Sequence, residues 1–185
     1  MAQASDNTVT ETVTDAAGIA TAAGRAARRG PPPVHLWNPP FCGDLDMEIR
    51  ADGSWFYNGT PIGRPEMVRL FASILKREGD AYFLVTPVEK VGIRVVDAPF
   101  VAVDADIHDT IDFTTNVGDR VTAGPDHAIE MRGTLDAPRP YVHIRRNLWA
   151  LIDRKTFYRL ADAAMPGANG RMEVHSGGAV FPLET

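Results

Sequence analysis

Two segments about ninety residues apart share one pattern, and this repetition constrains the fold more than any other feature of the sequence. IGRPEMVRL (62–70) and IDRKTFYRL (152–160) both begin with Ile-x-Arg and end with Arg-Leu. Similarity at a fixed offset indicates internal duplication. We therefore predict two related modules, residues 38–108 and 109–185. Upstream of the two segments, the same offset also aligns Gly43, Leu45 and Asp46 with Gly133, Leu135 and Asp136.

Helix and turn signals around these segments predict the fold class. Pro65 suits the first turn of a helix, and apolar residues then recur every three or four positions until Gly79. Asp153 offers an N-cap for a second helix at 154–165. Short β-branched and aromatic runs, separated by turn residues such as Asp52-Gly53, surround both helices. The pattern predicts an α+β fold in which each module packs one helix on antiparallel strands.

The first 33 residues differ in composition from the rest of the chain. They are rich in Ala, Thr and Gly, and the run 31–33 is PPP. Such a segment has little large apolar surface to bury, so we predict a flexible tail over residues 1–33 that ends in an extended spacer. A short helix is compatible with its alanine-rich part, where Arg25, Arg28 and Arg29 could help it to dock.

Bulk properties limit the classes of function. The 185-residue chain has a formal net charge of −5, which argues against a general nucleic-acid binder. Cys42 is the only cysteine, so no internal disulfide and no cysteine-based zinc site can form. We find no apolar run long enough to span a bilayer and no signal peptide pattern. We therefore expect a cytoplasmic protein with no membrane contact.

The stretch FCGDLDMEI (41–49) carries four reactive or charged side chains at alternating positions. A strand would place them on one face, as a metal or catalytic site or as the solvated side of the strand. Hard cations avoid thiols, a zinc site would normally recruit histidine, and no base lies nearby for a cysteine nucleophile. We favour the solvated face, with Asp46 bracing Arg64 or Arg69. The four residues are Cys42, Asp44, Asp46 and Glu48.

The segment DADIHDTID (104–112) is the densest acidic cluster. Its opening is similar to a calcium loop, but the sixth position is Asp109 and the twelfth is Thr115, where an EF-hand needs glycine and glutamate. We therefore favour a solvated acidic loop. The nucleotide-binding, serine hydrolase and zinc protease motifs are missing from the sequence. We predict no catalytic residues, no metal and no cofactor.

A basic stretch interleaved with aromatic residues is the strongest binding signal. Residues 132–171 carry a local charge of about +5, and arginine forks suit phosphates and carboxylates. We predict a non-catalytic binding, regulatory or signalling protein. Its inter-module groove would receive an anionic small molecule, a nucleic acid or a protein segment. The predicted ligand-binding residues are Arg64, Trp55, Tyr57, Arg145, Arg146, Arg154 and Lys155.

Two other classes of function stay open from the residues alone. A hydrolytic enzyme would use Cys42 or the Asp44/Asp46 pair. An interaction scaffold would add a strand of a partner to an exposed sheet edge.

Four phrases also carry a family resemblance: FCGDLDM, DGSWFYNGTPIGR, YFLVTPVEK and DAPFVAV. From about Trp37 to the C-terminus, the chain resembles a bacterial family known only as domain of unknown function 1285. The resemblance implies an α+β protein with a duplicated module. It implies no activity, cofactor or catalytic residue, so function must be argued from the residues themselves.

Overall fold

The computed structural model describes residues 15–134 and 136–184. Within them, the α-helices are α1 (Ala16–Ala27), α2 (Pro65–Ser73) and α3 (Arg154–Ala163). The strands before the midpoint are β1 (Phe41–Ile49), β2 (Trp55–Tyr57), β3 (Thr60–Pro61), β4 (Leu75–Glu78), β5 (Ala81–Val85) and β6 (Lys90–Val95). The later strands are β7 (Phe100–Ile107), β8 (Ile111–Thr115), β9 (Arg120–Thr122), β10 (Ile129–Thr134), β11 (Ala137–Arg145), β12 (Leu148–Ile152), β13 (Met165–Pro166), β14 (Met172–Ser176) and β15 (Ala179–Pro182).

Two six-stranded sheets dominate the fold and share one construction. The first sheet has the order β3-β2-β1-β6-β5-β4, and the second has β10-β11-β12-β7-β8-β9. In each sheet, two antiparallel halves of three strands meet at one central parallel pair, β1 with β6 and β12 with β7. Strands β13-β14-β15 form a third, small antiparallel sheet. The predicted α+β fold of two related modules is confirmed.

The boundary between the modules lies earlier than the sequence predicted. The first sheet ends with β6 at Val95, and β7 begins at Phe100 and pairs with β8 and β12 of the second sheet. A boundary at 108/109 would separate β7 from both of its partners. The turn residues Asp97-Ala98-Pro99 mark the actual junction.

The repeated helices are each followed by the same motif. Strands β4, β5 and β6 follow α2 as an antiparallel meander, and β13, β14 and β15 follow α3 in the same way. The surroundings differ, because β6 joins β1 whereas β13–β15 form a sheet of their own. The upstream correspondence does not extend to sheet position: Gly43 lies in β1 at the centre of its sheet, whereas Gly133 lies in β10 at the edge of the other sheet. Leu135 is outside the described residues.

Helix α2 is shorter than its apolar pattern predicted. It ends at Ser73, and the segment Leu75–Glu78 is strand β4 rather than a further helical turn. Leu75 pairs with Leu84 of β5, and both side chains are fully buried. Pairing with a buried neighbouring strand outweighs the helix preference of these residues.

Residues 16–27 are part of the folded unit, in contrast to the flexible tail that the sequence predicted over 1–33. Asp15 caps α1 by accepting a hydrogen bond from the Gly18 amide at 2.7 Å. Ile19 and Ala23 are fully buried, and α1 packs on α2. Alanine side chains permit this close packing despite the lack of large apolar residues. Residues 1–14 lie outside the described parts of the chain.

One hydrophobic core runs through both modules. It includes Trp55 and Phe71 of the first module, and Phe100 and Phe113 of the second. No helix in the described ranges is both long and apolar enough to cross a membrane.

Candidate functional site

Strand β1 shows what the alternating stretch FCGDLDMEI does. Leu45, Met47 and Ile49 are buried, while the other face of the strand, with Cys42 and Asp44, points away from the core. The prediction of a half-buried strand with a polar outer face is therefore confirmed.

The carboxylates on this outer face form surface ion pairs. Asp46 accepts a hydrogen bond from Arg94 Nη2 at 3.2 Å, and Glu48 accepts one from Arg94 Nε at 3.2 Å. The expectation that Asp46 braces Arg64 or Arg69 is therefore wrong. The arginine that it pairs with lies on β6, the parallel neighbour of β1.

Among the described residues, neither the Cys42 thiol nor the acidic segment 104–112 forms a cluster of reactive groups. The Cys42 thiol donates to the Pro40 carbonyl oxygen at 3.4 Å. Asp104 pairs with Arg159 and Asp106 with Arg120, so part of the 104–112 cluster serves local ion pairs. Among the described residues, no three histidine, cysteine or acidic side chains lie together in a way that could hold a metal.

Most arginines of the basic stretch are already engaged by other side chains. Arg139 pairs with Asp97 at 2.9 Å, and Arg132 lies over the ring of Trp149 at 4.4 Å. Arg154 Nε donates to the hydroxyl of Tyr158 at 2.7 Å. Carboxylates elsewhere in the fold, such as Asp97, therefore compensate part of the positive charge that the sequence indicated for this stretch.

The structure brings together only part of the predicted site. Arg145 and Arg146 line a cleft between the modules, and Trp55 lines a neighbouring pocket. Four other predicted residues line neither of the two: Arg64, Tyr57, Arg154 and Lys155.

The inter-module cleft has a volume of about 210 Å³. Helix α2 forms one wall, the β8–β9 and β11–β12 turns form another, and Pro31-Pro32 closes an end. We call it the arginine cleft, because it holds three guanidinium groups and a single carboxylate. These groups belong to Arg69, Arg145, Arg146 and Asp119.

Arg145 fixes the geometry of the arginine cleft. Its guanidinium forms an ion pair with Asp119, and its Nη2 donates to the Ala72 carbonyl oxygen of α2 at 2.8 Å. It also lies 4.9 Å from the centre of the Phe100 ring. Arg145 therefore joins the two modules, and its charge is already compensated.

Arg146 lines the cleft, and no carboxylate among the described residues pairs with it. Its φ is 52°, which is unusual for a residue other than glycine. Its Nη2 donates to His35 Nδ1 at 3.4 Å. Partial burial and, secondly, repulsion from Arg145 lower the pKa of the Arg146 guanidinium.

Arg69 lines the cleft, although the sequence did not point to it as a site residue. It lines both the arginine cleft and the neighbouring pocket, and its Nε lies near Gly118. Among the described residues, it has no hydrogen-bond or ion-pair partner. The recurrence of Arg69 as Arg159 was the available signal, but recurrence did not distinguish a structural from a binding role.

The neighbouring pocket, which we call the tryptophan pocket, has a volume of about 230 Å³. Its wall includes Trp55, whose ring stacks on Phe71 and whose Nε1 has no hydrogen-bond partner among the described residues. Asn116 closes it from the second module by donating to the Gly53 carbonyl oxygen at 3.1 Å. Arg69 lines both the tryptophan pocket and the arginine cleft.

Comparison with known proteins identifies the family. Residues 32–98 match "Domain of unknown function (DUF1285), N-terminal domain", and residues 99–183 match "Protein of unknown function (DUF1285), C-terminal domain". These matches divide the chain at the junction of the two sheets. No protein with a curated description matches.

Two crystal structures of DUF1285 family proteins are similar to the chain. The one from Silicibacter pomeroyi DSS-3 is 55% identical, with a TM-score of 0.84, and the match covers 91% of this chain and 95% of that chain. The one from Shewanella baltica OS155 is 34% identical, with a TM-score of 0.53, and covers 64% of this chain and 91% of that chain. The chain therefore belongs to the DUF1285 family, and its two halves correspond to the N-terminal and C-terminal domains of that family.

Proposed function

We propose that this protein is a non-catalytic, cytoplasmic binding protein with a regulatory role, and that its arginine cleft holds a small phosphate or carboxylate ligand. The observation that carries this proposal is the charge balance of the cleft. Three guanidinium groups face one carboxylate, and that carboxylate is bound to Arg145. The charges of Arg69 and Arg146 are therefore available to an anion.

The physical chemistry favours an anion at this position. Arginine offers a planar fork of donors that matches the oxygens of a phosphate or carboxylate. Burial and, secondly, repulsion from Arg145 lower the pKa of Arg146, and an anion between Arg69 and Arg146 would offset both effects. A cleft of about 210 Å³ suits a small molecule or one charged group better than a nucleic-acid strand.

The construction of the cleft supports a regulatory role. Its walls come from both modules and from Pro31-Pro32, which follow α1. A ligand that contacts all three would stabilise their mutual arrangement, because a ligand favours whichever conformation it binds best. Binding in this cleft would thereby be transmitted to the N-terminal segment.

The test is a titration of the purified protein with inorganic phosphate, phosphate monoesters, dicarboxylates and tricarboxylates. Thermal stability and calorimetry would measure binding. We expect Arg69→Gln and Arg146→Gln each to weaken the best ligand about tenfold or more, since a hydrogen bond to a charged group contributes about 1.5–3 kcal/mol. Binding should also weaken with salt.

Arg64→Gln is the matched control, because Arg64 precedes α2 and is exposed but does not line the cleft. Equal loss of binding in Arg64→Gln and Arg69→Gln would contradict a specific site. The same panel should include generic ester and phosphate-ester substrates. Turnover that disappears in Cys42→Ser or Asp44→Asn would replace the binding proposal with the hydrolytic alternative.

A further inference from the structure

A second concave surface lies beside α1, on the other side of Pro31 from the arginine cleft. Its volume is about 610 Å³, nearly three times that of the cleft. We call it the α1 groove. Its lining residues are Ala22, Arg25, Ala26, Arg29, Pro31, Pro33, Trp37, Pro87 and Val88.

Apart from two arginines, the residues that line the α1 groove are apolar, and several of them are exposed. Val88 is 72% exposed, and Leu36, next to the lining residue Trp37, is 73% exposed. Both stand among the most exposed large apolar residues of the described chain. Contiguous apolar surface of this kind is typical of a site that another molecule covers.

The charge of the α1 groove has a single sign. Arg25 lies in the last turn of α1 and Arg29 lies two residues beyond its end. Both are exposed, and neither side chain has a hydrogen-bond or ion-pair partner in the described parts of the chain. The lining includes no carboxylate. In a chain of net charge −5, this surface is therefore locally positive and complementary to an acidic partner.

We propose that the α1 groove docks an extended, acidic segment of another protein, with proline and large apolar residues as its anchors. The indole of Trp37 and three prolines line the groove. Extended proline-containing segments dock against aromatic side chains in grooves, and Trp37 offers such a surface. Arg25 and Arg29 would pair with acidic residues at one edge of the docked segment. The concave shape fits a peptide chain, whereas a lipid surface would need a protruding one.

The proposal is tested by selecting a displayed library of random short peptides on the intact protein. We expect enrichment of sequences in which Asp or Glu accompanies proline and Leu or Phe. The affinity of the enriched peptides should fall at least tenfold in the double variant Arg25→Glu/Arg29→Glu, and in Val88→Asp. The matched control is Arg28→Glu, which makes the same charge change at the C-cap of α1 but outside the groove, and this variant should bind normally.

Several outcomes would overturn the proposal. One is no enrichment, and another is enriched peptides that bind the double variant as well as the original protein. Binding to vesicles of phosphatidylserine and phosphatidylcholine that the double variant loses would assign the surface to lipid. A dimer in light scattering that the double variant loses would assign it to a second copy. Competition by a synthetic peptide of residues 1–14 would assign it to the chain's own N-terminal segment.

Discussion

Arg69 of α2 and Arg159 of α3 hold equivalent positions in the repeated helices, but within residues 15–134 and 136–184 only Arg159 has a hydrogen-bond or ion-pair partner. Arg159 Nη1 donates to Asp104 Oδ1 at 2.5 Å, and its Nη2 donates to the Ala105 carbonyl oxygen at 2.6 Å. This interaction, first through the hydrogen bond from Arg159, lowers the pKa of the Asp104 carboxyl. The same repeated residue thus braces one module and faces an open cleft in the other.

The two arginines should therefore respond differently to the same substitution. Arg159→Gln should lower the free energy of unfolding only modestly, since the ion pair with Asp104 is largely exposed. Arg69→Gln should change it by less than about 0.5 kcal/mol, because no partner is lost. Urea denaturation of both variants measures the difference. Equal destabilisation by the two would contradict the distinction.

The duplication was readable from the sequence, but the roles of its arginines were not. The start of each helix and the spacing of its apolar residues depend on residues that are close in the sequence, so α2 and α3 could be predicted. The carboxylates that pair with Arg139, Arg145 and Arg159 precede the basic stretch in the sequence. The folding of the sheets brings them close to these arginines. Local charge therefore overstated the free positive charge near residue 145 and gave no information about Arg69.

Arg145 should be essential to the joint between the modules. Replacing it with Met removes the bond to the Ala72 carbonyl and leaves Asp119 without its arginine. We expect a loss of about 2–3 kcal/mol in the free energy of unfolding, as for hydrogen bonds to charged groups. Arg145→Lys should recover little of this stability, because one ammonium group cannot reproduce the contacts of the guanidinium with both Asp119 and the Ala72 carbonyl oxygen. Urea denaturation measures both variants, and full stability in Arg145→Lys would argue against this geometry.

Gly53 should be sensitive to any side chain because the second module packs directly on it. Its φ is +82°, and a Cβ there would lie 2.6 Å from Asn116 Nδ2 and 2.9 Å from Val101 Cγ2. We expect Gly53→Ala to cost about 2–3 kcal/mol, combining left-handed backbone strain with overpacking. Denaturant unfolding gives the value.

Gly59 provides the matched control for that substitution. Its φ is +73°, but a Cβ would meet nothing within 4 Å. Gly59→Ala should therefore cost only the backbone strain, about 1 kcal/mol. Asn116→Ala should recover part of the Gly53→Ala loss, because contacting residues couple. Equal costs at the two glycines would show that the module contact adds nothing.

Turn chemistry and strand content were the most predictable parts of the fold. The Asp52-Gly53 hairpin and the Asp153 cap form as the local residues predict. The end of α2, the place of β7 and the docking of α1 depend on partners distant in sequence, which periodicity cannot show. The shape of the arginine cleft depends on the same long-range packing. This explains why, of the predicted ligand-binding residues, only Arg145 and Arg146 line it.

Tyr141 should make stability fall at high pH. Its hydroxyl donates to Asp97 Oδ1 at 2.6 Å, in the junction between the modules. Burial, followed by this hydrogen bond and the Asp97 charge, raises the pKa of Tyr141 from 10.0 to about 12. Because the folded protein favours the neutral phenol, the contribution is complete below pH 10 and is lost as the pH rises to about 12.

The Tyr141→Phe variant isolates this contribution from other groups that titrate at high pH. Urea midpoints between pH 9 and 12 should decline more steeply for the original protein than for Tyr141→Phe. Asp97→Asn should show an intermediate slope, because it removes the charge that opposes the phenolate but keeps a hydrogen-bond acceptor. Parallel curves for the original protein and Tyr141→Phe would mean that the Tyr141–Asp97 bond does not stabilise the fold, and that Arg139 rather than Tyr141 holds Asp97 in place.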